Sequence, residues 1–191
     1  MNYPKGVNKS VTKVISFGNR GMILEEEINI TNKYYLENDI AVIYKKPTPI
    51  TVNKVDYKSR NDAVITEAHF IIPSTTDYNG IYKGKYIDFE AKETKLNAFP
   101  ISNIHTHQIN HLNKVHNHGG IAFIIVRFTK YNETYLLTIE KLNDFLKRND
   151  RKSIPHNYFI ENGIKLEEKY IPRIDYLKIV DSILKGGLYE E

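Results

Sequence analysis

The sequence predicts an α/β protein in which helices pack against a mixed central β-sheet. Three observations carry this. Residues 121–128, IAFIIVRF, are an uninterrupted apolar run suited to a central strand. Residues 86–92, YIDFEAK, alternate, so Ile87, Phe89 and Ala91 share one strand face while Asp88, Glu90 and Lys92 share the other. Between and beyond these strands lie segments with helical spacing, punctuated by proline at their starts and glycine at their ends.

In chain order, Asn19 can cap a first helix over about residues 20–37, with apolar Met22, Leu24, Ile28, Tyr35 and Leu36 and with Glu25, Glu26 and Glu27 at its positive end. Three β-branched and aromatic runs follow, IAVIYKK, ITVNKVDY and AVITEAHFII, separated by Pro47-Thr48-Pro49 and by a polar KSRND stretch. The stretch 45–62 holds Lys45, Lys46, Lys54, Lys58 and Arg60 against Asp56 and Asp62, and is expected to project from the body. Asp77 to Thr94 reads as strand, turn, strand, with turn chemistry at Tyr78-Asn79-Gly80 and Lys83-Gly84-Lys85. Pro100 and Ser102 open a helix near 101–117 that Gly119-Gly120 ends. The central strand then turns at Lys130-Tyr131-Asn132-Glu133 into a hairpin partner, TYLLTI, and a last amphipathic helix runs from Pro172 to Leu184 before Gly186-Gly187.

A chain of 191 residues with 41% hydrophobic side chains can bury a substantial core, and one compact domain is expected. No apolar run approaches the roughly 18 residues of a membrane helix, and the N-terminal residues lack the apolar core of a secretory signal. A cytoplasmic protein without a membrane partner is therefore expected. The absence of cysteine removes disulfides, thiolate zinc sites and thiol nucleophiles, leaving oxygen and nitrogen ligands and hard-cation chemistry. The net charge of +4 resides in residues 1–20, where Lys5, Lys9, Lys13 and Arg20 face no acid; the remainder carries 23 basic and 23 acidic residues. Residues 1–18 read as a basic flexible arm, either a reach for phosphate backbones or a simple tail.

Asp77, Asp88, Glu90 and Lys92 bring three acids and a lysine together on adjacent strands. Three polar residues on one face of a half-buried strand are ordinarily its solvent face. Thr75 and Asp77 at i, i+2, however, offer oxygens on one side to a cation such as magnesium, and Lys92 sets an ammonium beside the same ion. That combination suits phosphodiester hydrolysis.

The spacing from Asp77 to Glu90-Ala91-Lys92 resembles the PD-(D/E)xK nuclease signature. Asn19-Arg20-Gly21-Met22, Thr31-Asn32-Lys33-Tyr34-Tyr35, Lys45-Lys46-Pro47-Thr48-Pro49, Ser74 through Gly80, Tyr86 through Thr94 and Pro172 through Tyr176 together resemble the RecU family of Holliday junction resolvases of Gram-positive bacteria. The resemblance implies a restriction-endonuclease-like fold: a single nuclease domain over 19–191, with a stalk inserted at about 45–65. It implies a homodimer that nicks opposed strands of four-way DNA junctions symmetrically in recombination and repair, using Mg2+ with Mn2+ as a substitute. By position, Asp77 and Glu90 would be metal carboxylates, Thr75 and Gln108 further ligands, and Lys92 the stabiliser of the transition state. Gln108 reads equally as a helix-surface amide. Glu25 resembles a first-helix acid assisting the metal, or else simply answers the helix dipole, and Asp88 would support the site from behind the ligands. Arg20, Lys45, Lys46, Lys58 and Arg60 would contact DNA, with Arg60 at the stalk tip entering the junction centre and influencing RecA recombinase; the alternative there is an exposed hairpin with ordinary surface charge.

His105, His107, His111, His116 and His118 crowd into fourteen residues. His107 and His111 stand at i, i+4, but the segment lacks the glutamate of an HExxH zinc site, so histidines lying near phosphate are the better reading. Two other functions fit the same residues: a restriction- or repair-type endonuclease cutting duplex DNA, and a non-catalytic protein that holds branched DNA.

Overall fold

The computed structural model describes residues 23–57, 59, 62–71, 75–148 and 150–185. The expected N-terminal arm, Arg20, Lys58, Arg60 and Gly186-Gly187 lie outside the described residues. Within them, α1 (Leu24–Glu37), β1 (Val42–Lys45), β2 (Ile50–Asp56), β3 (Val64–Phe70), β4 (Tyr78–Tyr82), β5 (Lys85–Thr94) and β6 (Ala98–Pro100) lead into α2 (Thr106–Asn117). They are followed by β7 (Ile121–Phe128), β8 (Glu133–Thr138), α3 (Ile139–Arg148), β9 (Ser153–Pro155), α4 (His156–Asn162), β10 (Ile164–Leu166) and α5 (Leu177–Leu184).

The fold is mixed α/β, as the sequence predicts. Six strands form the main sheet in the order β1-β4-β5-β7-β8-β10. β5 and β7 pair in parallel, Ile87 opposite Ile121 through Thr94 opposite Phe128, while the other pairs are antiparallel. A parallel pair requires a crossover, and α2 supplies it. Lys83 and Gly84 both adopt positive φ in the β4–β5 turn, 48° and 74°, which is the two-residue hairpin geometry that the Lys-Gly pair signals. Where the edge strand β1 meets β4, a Cβ on Gly80 would lie 2.1 Å from the Val42 carbonyl oxygen, so glycine lets β1 close onto β4.

Both faces of this sheet are covered. On one, Ile87, Phe89 and Ala91 pack with Leu24, Ile28 and Tyr35 of α1 and Leu177 and Val180 of α5. Phe89 is stacked between Tyr78 and Phe123, each at 4.8 Å, with Tyr176 at 5.1 Å. On the other, Ala122, Ile124 and Val126 pack with Leu112 of α2, Leu142 and Phe145 of α3 and Phe159 of α4. The solvent-face reading of Asp88 and Glu90 is thereby overturned, because α2 lies over them and both are fully buried.

Several boundaries differ from the sequence reading. α1 starts at Leu24, after an extended Ile23, and Glu93 receives the Leu24 N–H at 3.0 Å. The expected 101–117 helix is split: a 3-10 turn at Ile101–Asn103 is followed by extended Ile104 and His105, and α2 begins at Thr106. The last helix begins at Leu177, not Pro172. Residues 173–176 are committed to α1 instead, with Arg173 on Glu27, the Ile174 N–H on Thr31 Oγ1 and the Tyr176 hydroxyl on Asn32. Ile139 starts α3 with no intervening loop, and α3, α4, β6, β9 and β10 are elements that the periodicity reading passed over.

β2 and β3 form a separate two-stranded sheet in which every residue is exposed, including Phe70 at 84%. The hairpin runs to Phe70, and the Ile71 N–H returns to the Pro49 carbonyl at 3.0 Å, so its two ends are adjacent at the body.

Candidate active site

β5 places Tyr86, Asp88, Glu90 and Lys92 on one face, two residues apart, and α2 meets that row at Gln108 and His111, three residues apart. Gln108 Nε2 donates to Glu90 Oε1 at 2.7 Å, while its own oxygen accepts the His105 N–H at 2.9 Å. Glu90 Oε2 accepts the Asp77 N–H at 3.0 Å. The Lys92 ammonium donates to Glu90 and lies 3.5 Å from Asp77 Oδ2, so one cation stands between two carboxylates.

Burial drives the electrostatics here. It pushes the Glu90 carboxyl up to about 7, with Lys92 opposing and Asp77 adding to the rise. Burial by itself would lower Lys92, but the Glu90 and Asp77 carboxylates outweigh it and raise the ammonium above its ordinary value. Tyr78, buried behind Asp77, is raised first by burial and then by the charges of Glu25, Asp77 and Glu90.

Asp88 is held differently. It accepts hydrogen bonds from Lys46 at 2.8 Å, Tyr86 at 3.0 Å and the Thr76 hydroxyl, and His111 Nε2 lies 3.0 Å away. Lys46 also donates from its backbone to the Asp77 carbonyl at 2.7 Å. Asp88 therefore knits β1, β4, β5 and α2 together, and its oxygens are occupied by protein donors.

Asp77 and Glu90 both turn hard oxygens toward the Lys92 ammonium, a carboxylate pair that fits magnesium, which takes one or two carboxylates and completes its shell with water and substrate oxygen. Among the described residues no cluster of three or more acids and histidines forms a closed cage.

The family model described as Recombination protein U matches residues 19–182. The chain belongs to the RecU family. It is 54% identical over 179 residues to the Holliday junction resolvase RecU of Bacillus cytotoxicus, across 92% of this chain and 90% of that relative. To the Holliday junction resolvase RecU of Bacillus cereus it is 51% identical over 180 residues, with the same coverage. A solved structure of Hjc, a Holliday junction resolvase from Archaeoglobus fulgidus, aligns at a TM-score of 0.45 with 10% identity, over 74% of this chain and 92% of that one.

In this RecU-family chain the structure brings Asp77, Glu90, Lys92 and Gln108 into direct contact, with Asp88 next along the same face. Thr75 is half-buried in the bend before β4, and it is the neighbouring Thr76 whose hydroxyl reaches a carboxylate, that of Asp88. Glu25 lies on the first turn of α1 and is ion-paired with Lys45. Lys46 is largely withdrawn from solvent on Asp88, which makes it part of the site's scaffold. Sequence reading missed the roles of Thr76, Tyr86 and His111. The i, i+2 step that aligned Asp88, Glu90 and Lys92 reaches Tyr86 when taken once more, but the pairing with α2 required the packed structure.

Proposed function

We propose that this chain is a Holliday junction resolvase: a divalent-metal-dependent endonuclease that nicks opposed strands of four-way DNA junctions during recombination and repair. The observation that carries this reading is the meeting of Asp77, Glu90 and Lys92 within a RecU-family chain. Asp77 and Glu90 hold the metal. Magnesium, with manganese as a substitute, supplies Lewis-acid polarisation of the scissile phosphate and lowers the pKa of water when bound. Lys92 aims its ammonium at charge that develops on the phosphoryl oxygens as water attacks and an ester P–O bond breaks. Gln108 contributes by orienting Glu90, since its oxygen already caps the His105 N–H.

Paired nicking requires two such sites, so the acting species is a homodimer, located in the cytoplasm, where the junctions form. Lys45, the arm with Arg20, and the stalk bearing Lys58 and Arg60 supply contacts to DNA, and the stalk offers a surface to RecA recombinase. The exposed β2–β3 hairpin supports this, because a junction has an open centre that a linear duplex lacks. The deciding experiment incubates the protein with synthetic four-way junctions and matched linear duplexes, with and without magnesium, and maps nicks on all strands. Symmetric nicks in opposed junction strands, dependent on magnesium, are expected. Equal cutting of duplex would make it a duplex-directed endonuclease, and binding without cutting would make it a branched-DNA holder.

A further inference from the structure

The packing of α2 on β5 does not stop at the carboxylates. Beyond the buried Asp88, toward the start of β5 and the end of α2, lies a cavity of about 300 Å³ lined by Tyr86, His111, Lys114, Val115, His118 and Gly120. The walls continue the pairing that builds the site: Tyr86 is the next residue on the same face of β5, His111 and Lys114 follow one another down one side of α2, and His118 caps its C-terminus.

The lining of this cavity is mostly apolar, and Lys114 is its one formally charged residue. No acid lines it, and among the described residues no carboxylate forms an ion pair with Lys114 or His118. The nearest acid, Asp88, already accepts from Lys46, Thr76 and Tyr86. His116, on the other side of α2, faces Glu140 at 3.6 Å and takes no part. Two walls are pre-set: Asp88 fixes both the Tyr86 hydroxyl and His111 Nε2, and Asn79 steadies the same hydroxyl at 3.1 Å. Lys114 and His118 are exposed and unrestrained, the arrangement that suits an incoming anion.

We infer that this cavity is a second phosphate subsite, taking a backbone phosphodiester of the DNA that is not the one cleaved. It rests on the nuclease reading above and extends it. Four residues of β-strand separate Tyr86 from Glu90, about 13 Å. A phosphate seated there is therefore out of Lys92's reach and sets the register of the strand instead. Val115 and the close-packed backbone of Gly120 give the cavity an apolar floor that matches the sugar.

The test is done without divalent metal, so it does not depend on cleavage. Inorganic phosphate, then a 5′-phosphorylated dinucleotide, is titrated into the full chain while the histidine side-chain resonances are followed by NMR. His118 and His111 should shift and saturate, with His69 and His156 unmoved. Lys114→Gln should abolish the response and Lys114→Arg should keep it. Four-way junction affinity, measured in EDTA across a salt series, should lose about 0.9 from the slope of log affinity against log salt in Lys114→Gln. Lys114 is exposed, so neither variant threatens folding. An unchanged salt slope, or histidines that ignore phosphate, overturns the subsite even if the protein cuts junctions. Failure to cut junctions with the phosphate response intact overturns the nuclease reading alone.

Discussion

Gln108 Nε2 lies 2.7 Å from Glu90 Oε1, joining a helix to a strand eighteen residues earlier in the chain. The bond fixes the rotamer of a fully buried carboxylate whose other oxygen is held by the Asp77 N–H. Glu90 is thus held in a single orientation, the one in which it would meet the ion of the proposed metal site, and Asp77 is tied to it by its own backbone.

Glu90→Gln should bind junctions and fail to cut them, since the change removes a metal charge while keeping size. Gel-shift affinity in calcium, compared with single-turnover cleavage in magnesium, checks this. Near-normal cleavage would remove Glu90 from the metal site.

Lys92→Ala should lower the single-turnover rate by about 10²–10³ with junction affinity nearly unchanged, the usual cost of losing one donor to transition-state charge. If affinity collapses while bound DNA is cut at the normal rate, Lys92 is a phosphate clamp.

The raised Glu90 carboxyl sets a pH dependence for the metal-free protein. The unfolded chain loses this proton near its ordinary value of 4.5 and the folded chain keeps it to about 7. Glu90's contribution to stability is therefore fully present below pH 4.5 and is lost as pH rises through 7. Urea unfolding in EDTA should show stability falling over that window with a slope approaching one proton, and Glu90→Gln should flatten it. Magnesium competes with the same proton, so its calorimetric affinity should drop below pH 7. A flat stability profile in the native sequence would contradict the buried, protonated carboxyl.

Arg127 is buried among acids, donating to Glu27 and, at 3.0 Å, to Glu168, with Glu93 at 3.7 Å, while Arg173 reaches Glu27 from the C-terminal segment at 2.8 Å. The network joins α1, β5, β7 and the chain before α5. Arg127→Ala leaves the buried Glu27 with Arg173 alone and should destabilise by about 1.5–3 kcal/mol, read as a lowered urea midpoint. A loss below about 1 kcal/mol would show that the network is solvated.

Because Pro49 and Ile71 are hydrogen-bonded at the hairpin's base, residues 50–70 can be replaced by a short turn without pulling on the sheet. The variant should bind four-way junctions much more weakly and linear duplex almost normally, by anisotropy at one salt concentration. An equal loss on both substrates would make the hairpin merely another basic surface, and junction selectivity would then arise from the spacing of two active sites.

Much of this protein is legible from local pattern. The run IAFIIVRF needs no partner to announce a covered strand, and the alternation from Tyr86 to Lys92 assigns each residue a face from backbone geometry alone. The acids and the lysine are therefore already aligned in the sequence. Whether that face meets water or protein is a matter of what packs on it, and only the tertiary structure decided that α2 covers it, burying Asp88 and Glu90 and raising the Glu90 carboxyl. The same holds where local propensity was overruled: Pro172 to Tyr176 has a helical pattern, yet Glu27, Thr31 and Asn32 capture it in another conformation. Side-chain periodicity is a property of neighbours along the chain, whereas burial, ion pairing and proton affinity are set by residues that sequence separation hides, Gln108 from Glu90 and Arg173 from Glu27 among them.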